Sequence, residues 1–167
     1  LFVTIIWGLT FIIVKEALND APPFSFATLR FGLATMLTFF IVNRQIISLN
    51  KQELIGGIIC GIFLFLGYAF QNFGLISTTA TKSAFITSTS VLMVPVFLVL
   101  LNIQKVQLRI WIAVLIATVG LYLLILPGSG INIGDIITFG CAISFALHII
   151  AQDHFIKKGI RLLPFIN

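Results

Sequence analysis

The sequence predicts an all-α, polytopic membrane helical bundle. Three observations lead there. Of the 167 residues, 59% are hydrophobic and 9% are charged, whereas soluble domains carry roughly 25% charged residues. The apolar residues fall in six long runs, each close to the about 20 residues that a spanning helix needs. The runs are apolar on both parities, while a membrane β-barrel shows alternating segments of about 10 residues.

The runs cover about 1–18, 24–43, 53–76, 80–101, 108–126 and 132–152. Breaker-rich segments separate them: NDAPP, NRQIISLNKQE, STTATK, NIQKVQLR and LPGSGINIGD, with DHFIKKGIRLLP after the sixth. Short connections make consecutive helices antiparallel neighbours. The first run lacks the basic start and small-residue cleavage site of a signal peptide. Arg44, Lys51, Lys105, Arg109, Lys157, Lys158 and Arg161 fall on one side of this topology, and Lys15, Arg30 and Lys82 on the other. Cations favour the cytoplasmic side, which predicts a cytoplasmic N-terminus. The net charge of +5 is thereby a matter of topology, and no nucleic-acid partner is implied. Cys60 and Cys141 lie inside apolar runs and read as buried thiols, neither a disulfide framework nor a metal site.

Polar side chains in a spanning helix tend to face protein or a water-filled cavity. On the first run, Thr4, Trp7, Gly8, Phe11 and Lys15 share a stripe, with Ile5, Ile6, Leu9, Ile12 and Ile13 opposite. That stripe either packs on a neighbour at Gly8 or places Trp7 and Thr10 at an internal cavity. Lys15 reads as a snorkelling cation near the end of the span. On the third run Gly57 and Gly61 form a GxxxG pair that permits close helix approach, and Tyr68, Gln71 and Asn72 continue the stripe. Those three are either an interhelical hydrogen-bond cluster or a ligand site. On the fourth, Ser83, Thr87 and Ser90 share a face; hydroxyls there either bond back to their own helix or line a site. Pro95 follows and removes one backbone bond, predicting a kink. The fifth run has a small-residue seam ending at Gly120. On the sixth, Cys141, Ser144, His148 and Gln152 align. His148 is suited to proton relay, although a buried histidine bonded to a neighbour is commoner.

No HExxH, CxxC, G-x-S-x-G or phosphate-loop pattern occurs. The five acids, Glu16, Asp20, Glu53, Asp135 and Asp153, all sit near span ends. No pair of acids, nucleophile with its base, metal cluster or cofactor site is offered, so an enzyme is not expected. A cation channel favours acidic pore residues. The neutral mid-depth groups instead suit a small organic solute.

At this point the residues resemble a family. WGLTFIIVKEALNDAPPFSFATLRFGLA resembles the opening of the EamA family of the drug/metabolite transporter superfamily, through Trp7, Gly8, Phe11, Lys15, Pro22, Pro23, Ala27, Arg30 and Phe31. GYAFQNFGLISTTATKSAFITSTSVLMVPVF is similar to its third and fourth spans, with Gln71, Gly74, Ala80, Ala84 and Pro95 in matching places, and GLYLLIL fits the fifth. The family often has a glutamate just after the fourth span. Asn102, Ile103, Gln104 and Lys105 stand there, so that acid has no counterpart at these positions.

The resemblance implies a ten-helix carrier of two inverted five-helix repeats. TFGCAISFALHII lays on TIIWGLTFIIVKE, matching Gly8 to Ala142, Thr10 to Ser144 and Phe11 to Phe145. The expectation is a first repeat at 1–126 and the truncated start of a second at 132–167, in a chain that opens on Leu1 without its own methionine. The expected function is secondary transport of a small amino-acid-like or drug-like metabolite, as an exporter, by alternating access across a bacterial inner membrane. Trp7, Thr10, Tyr68, Gln71, Asn72, Thr87, Ser90, Ser144 and His148 are the expected cavity residues. Gly8, Gly57, Gly61, Pro95 and Gly120 are the expected hinge and packing positions. The alternative is a small self-contained membrane protein that dimerises into a pore or multidrug carrier. Partners are the solute and the bilayer, and the oligomeric state is open.

Overall fold

The structure, a computed structural model, describes residues 2–46, 50–125 and 130–159. They form six helices: α1 (Phe2–Asp20), α2 (Pro23–Ile46), α3 (Lys51–Ser77), α4 (Ala80–Leu100), α5 (Leu108–Ile125) and α6 (Ile133–Lys157). Arg161 and the LLPFIN segment lie outside the described residues. Among the described residues, α3, α4 and α6 are long and apolar enough to cross a membrane. Among the same residues α5 has a shorter apolar stretch, Leu108–Gly120.

The helix starts follow local chemistry. Pro23 opens α2, where a missing N–H costs nothing. Asn50 caps α3 in a reciprocal box: Glu53 N donates to Asn50 Oδ1 at 2.8 Å, and Asn50 N donates to Glu53 Oε2 at 2.8 Å. Asn132 and Asp135 repeat the device on α6, at 2.9 and 3.0 Å. Thr79 accepts from the Lys82 backbone N–H at the start of α4. After α4 the chain reverses through Asn102, whose φ of 52° is a left-handed conformation that Asn tolerates.

The most extensive helix pairings are α3 with α6 and then α4 with α6. Helix α6 runs antiparallel to α3. Gly74 meets Gly134 and Thr138, Gly67 meets Phe145, and the Cys60 carbonyl meets His148. It runs parallel to α4, since Lys82 pairs with Asp135 and Thr87 with Cys141. Helix α1 runs with α3, its Lys15 Nζ donating to the carbonyls of Leu75 and Ile76 at the α3 terminus. The first and sixth helices therefore point in opposite directions. Lys15, expected as a snorkelling cation near the span end, caps the negative end of the α3 dipole.

The close approach sits at Gly74 and Gly134. A Cβ on Gly134 would stand 2.5 Å from the Gly74 carbonyl oxygen and 2.8 Å from Thr78 N. At Gly57, Gly61 and Gly120 a Cβ meets nothing within 4 Å among the described residues, whereas α6 approaches α3 closely at Gly67 and Gly74. Replacing Gly57 or Gly61 with Ala should leave the melting temperature in detergent unchanged or slightly raised, because Ala favours helix by about 1 kcal/mol over Gly.

On α1 the expected stripe is buried only in part: Phe11 is 7% exposed, but Trp7 on the same stripe is 46% exposed, close to Ile5, Ile6, Leu9, Ile12 and Ile13 at near or above half. Leu29, Leu33, Leu37 and Phe40 give α2 a similar apolar exterior. Such a surface suits lipid.

Candidate functional site

Between α1 and α4 lies a cavity of about 310 Å³. Trp7, Gly8 and Phe11 form one wall; Thr87, Ser88 and Ser90 contribute hydroxyl-bearing positions to the other. Among the described residues no charged side chain lines it. The i, i+3, i+4 spacing of each wall follows from helix geometry. Gly8 leaves open space beside Trp7, where a Cβ would meet nothing within 4 Å.

Behind Thr87 the polar groups continue inward. Gln71 Nε2 donates to Thr87 Oγ1 at 3.3 Å and approaches Cys141 Sγ at 3.9 Å, and Thr87 Oγ1 lies 3.7 Å from that sulfur. Three helices thus meet in one buried polar contact, with Gln71 4% exposed. Cys141, expected as a small hydrophobe, belongs to this cluster. On α6 it stands between Thr138 and Ser144 at i, i+3, i+6, all three facing inward. Asn72 Oδ1 and Ser83 Oγ are buried without a hydrogen-bond partner among the described residues.

The remaining expected site residues lie apart. Thr10 donates to the Trp7 carbonyl of its own helix at 2.6 Å, and Ser144 to the Gly140 carbonyl at 2.9 Å. His148 Nδ1 lies 2.9 Å from the Cys60 carbonyl, linking α6 to α3. Tyr68 stands edge-on between Phe31 and Phe145, with centroids 5.3 Å away on each side. Pro95 is buried within α4. The structure therefore unites Trp7, Gly8, Thr87, Ser90 and Gln71, and holds Thr10, Tyr68, Ser144 and His148 elsewhere. Among the described residues no three His, Cys, Asp or Glu side chains gather to hold a metal.

One cluster has no counterpart in the sequence expectations. Lys82 Nζ lies 3.2 Å from Asp135 Oδ2, with side chains 9% and 7% exposed, and donates to the Gly130 carbonyl at 3.0 Å. Thr78 Oγ1 donates to the other Asp135 oxygen. This pair ties the end of α3 to the starts of α4 and α6. Both charges read from sequence as span-end residues. The capping pattern Asn132-x-x-Asp135 was the visible signal that this end is structured.

Residues 1–126 match the model of the EamA-like transporter family. The chain belongs to that family. An uncharacterized transporter of Archaeoglobus fulgidus is 42% identical over 154 residues, covering 92% of this chain and 47% of the relative. An uncharacterized transporter of Bacillus subtilis is 30% identical over 103 residues, covering 60% and 34%. A probable amino-acid metabolite efflux pump of Escherichia coli is 40% identical over 50 residues, covering 30% and 17%. The chain thus spans about half or less of the length of these relatives. No solved structure matches it.

Proposed function

We propose that this chain forms part of a secondary carrier that moves a small amino-acid-like or drug-like metabolite by alternating access. Residues 1–126 are one five-helix repeat, and α6 opens an inverted second one. In this reading all six helices span the bacterial inner membrane, the N-terminus is cytoplasmic, and transport runs outward. No chemical step on the solute is involved.

The observation that carries the reading is the uncharged cavity between α1 and α4, backed by the buried Gln71–Thr87–Cys141 contact. Trp7 and Phe11 offer apolar surface, and Thr87 and Ser90 offer donors and acceptors. A buried polar set beside a cavity suits a solute that must exchange water for protein hydrogen bonds. The opposite directions of α1 and α6 support inverted repeats, because an odd number of spans per repeat reverses the next one. The efflux name of the Escherichia coli relative supports the direction.

The test is transport by the protein in liposomes. Replacing Gln71 and Asn72 together with Leu should lower uptake by roughly 10-fold or more, the loss of one or two hydrogen bonds to a desolvated solute. Uptake and apparent affinity equal to the parent protein would sink the site assignment.

A further inference from the structure

Lys105 and Arg109 flank the start of α5, at the corner where α4 gives way to it. Both are exposed, and neither makes an ion pair with a described residue. Residues 54–134 contain no Asp or Glu, so α4, the corner and α5 offer no counter-charge. Helix α5 packs chiefly on α4. The corner is held by its own backbone. Ile103 N and Gln104 N both donate to the Leu98 carbonyl, at 2.9 and 3.3 Å, and Asn102 N donates to that of Val99 at 3.0 Å.

The two cations line one cavity of about 330 Å³. Its polar lining comes from the corner, where Lys105, Arg109, Gln104 and Gln107 all carry N–H donors. Its apolar lining comes mainly from α4, through Val94, Pro95 and Leu98. Val94 lies six residues before the end of α4, about 9 Å along the axis. Since α4 is long and apolar enough to span, the cavity runs from headgroup level into the hydrocarbon. A second recess of about 530 Å³ shares Gln104, Lys105 and Val106 with it and has Trp111 in its wall.

Cationic donors with no acid beside them suit an anion with several oxygens. A phosphate fits the guanidinium fork through two parallel N–H···O bonds, with Lys105 as a point charge. The apolar α4 wall then selects among phosphates. Inorganic phosphate would leave Val94 and Leu98 uncovered. A phospholipid brings a phosphate and an acyl chain in one molecule, in the order that the cavity presents them. A zwitterionic headgroup sets its own ammonium against the two cations, so a net-anionic lipid is favoured. The corner also falls on the cation-rich side of the topology, where anionic lipids attract Lys and Arg.

We propose that the α4–α5 corner binds an anionic phospholipid, with Lys105 and Arg109 on its phosphate and an acyl chain along Val94 and Leu98. The site is separate from the α1–α4 cavity and does not depend on which solute is moved.

The chain has two tryptophans, Trp7 and Trp111, so Trp7→Phe leaves Trp111 as sole reporter beside the site. The protein is reconstituted in mixtures of phosphatidylglycerol and phosphatidylcholine. Bromine on the acyl chains of one lipid or the other quenches indole fluorescence. At Trp111 the anionic lipid should bind about 5-fold or more tighter than the zwitterionic one, the scale of a basic side chain near an anionic surface. Lys105→Gln combined with Arg109→Gln should bring the two lipids within about 2-fold. Lys105→Arg should keep the preference, and excess inorganic phosphate at matched ionic strength should not displace it. Trp7, read in Trp111→Phe, should show no such preference. Native mass spectrometry of the unsubstituted protein, which needs no variant, should retain phosphatidylglycerol over phosphatidylcholine. Equal quenching by the two lipids, or equal retention, overturns the proposal. So does a preference that survives loss of both cations. Displacement by inorganic phosphate assigns the corner to a soluble anion, and an equal preference at Trp7 reduces it to surface attraction; either overturns the lipid site.

Discussion

Gly134→Ala should cost about 3 kcal/mol or more and leave little folded protein, measured as the unfolding midpoint on titration with a denaturing detergent. The new Cβ would stand 2.5 Å from the Gly74 carbonyl oxygen and 2.8 Å from Thr78 N. Both are backbone atoms, of α3 and of its C-cap residue, so relief requires moving a helix rather than a rotamer. Gly74→Ala meets the same wall from the other side, facing Thr138 Oγ1 and, at 2.8 Å, the Gly134 carbonyl oxygen. The two substitutions together should cost less than the sum of each, since one separation of α3 from α6 accommodates both. Gly134→Ala at parental stability would mean that the two backbones do not approach as described.

Asp135→Ala is the second large effect. It leaves the Lys82 ammonium buried beside the Gly130 carbonyl with its counter-charge gone. Removing one member of a buried pair costs about 3–5 kcal/mol, because the remaining charge keeps its desolvation penalty. Lys82→Met combined with Asp135→Leu should recover much of that loss, since apolar replacement of a whole buried pair is often neutral. Thr78 then loses an acceptor, so recovery is incomplete. Equal stability of the single and double variants would show that the pair is solvated.

The spans were legible because lipid imposes a length and an apolar composition that α3, α4 and α6 display. The α1 faces were legible in part: helical spacing assigns Ile5, Ile6, Leu9, Ile12 and Ile13 to the exposed side and Phe11 to the buried one, but Trp7 on the Phe11 stripe is 46% exposed. Gln71, Thr87 and Ser90 stood out as polar groups in apolar helices. What stayed hidden depends on partners far along the chain. Gly57 and Gly61 carry the familiar spacing, yet the close approach of α6 to α3 is at Gly74, which no local pattern marked. Lys82 and Asp135 each look like a span-end charge until the fold brings α4 and α6 side by side. Arg30 was visible as part of a family pattern, but its place over Tyr68 required α2 to lie against α3.

The central claim is a carrier with a saturable solute site. Its most direct test is counterflow in proteoliposomes, with labelled neutral amino acids outside and an excess of the same unlabelled solutes inside. A carrier should show a transient accumulation of label that saturates with concentration and disappears in the Gln71→Leu, Asn72→Leu double variant. Entry that rises linearly with concentration, as through a pore, or label entry no faster than in protein-free liposomes for neutral amino acids and for a panel of drug-like solutes alike, is the opposite result.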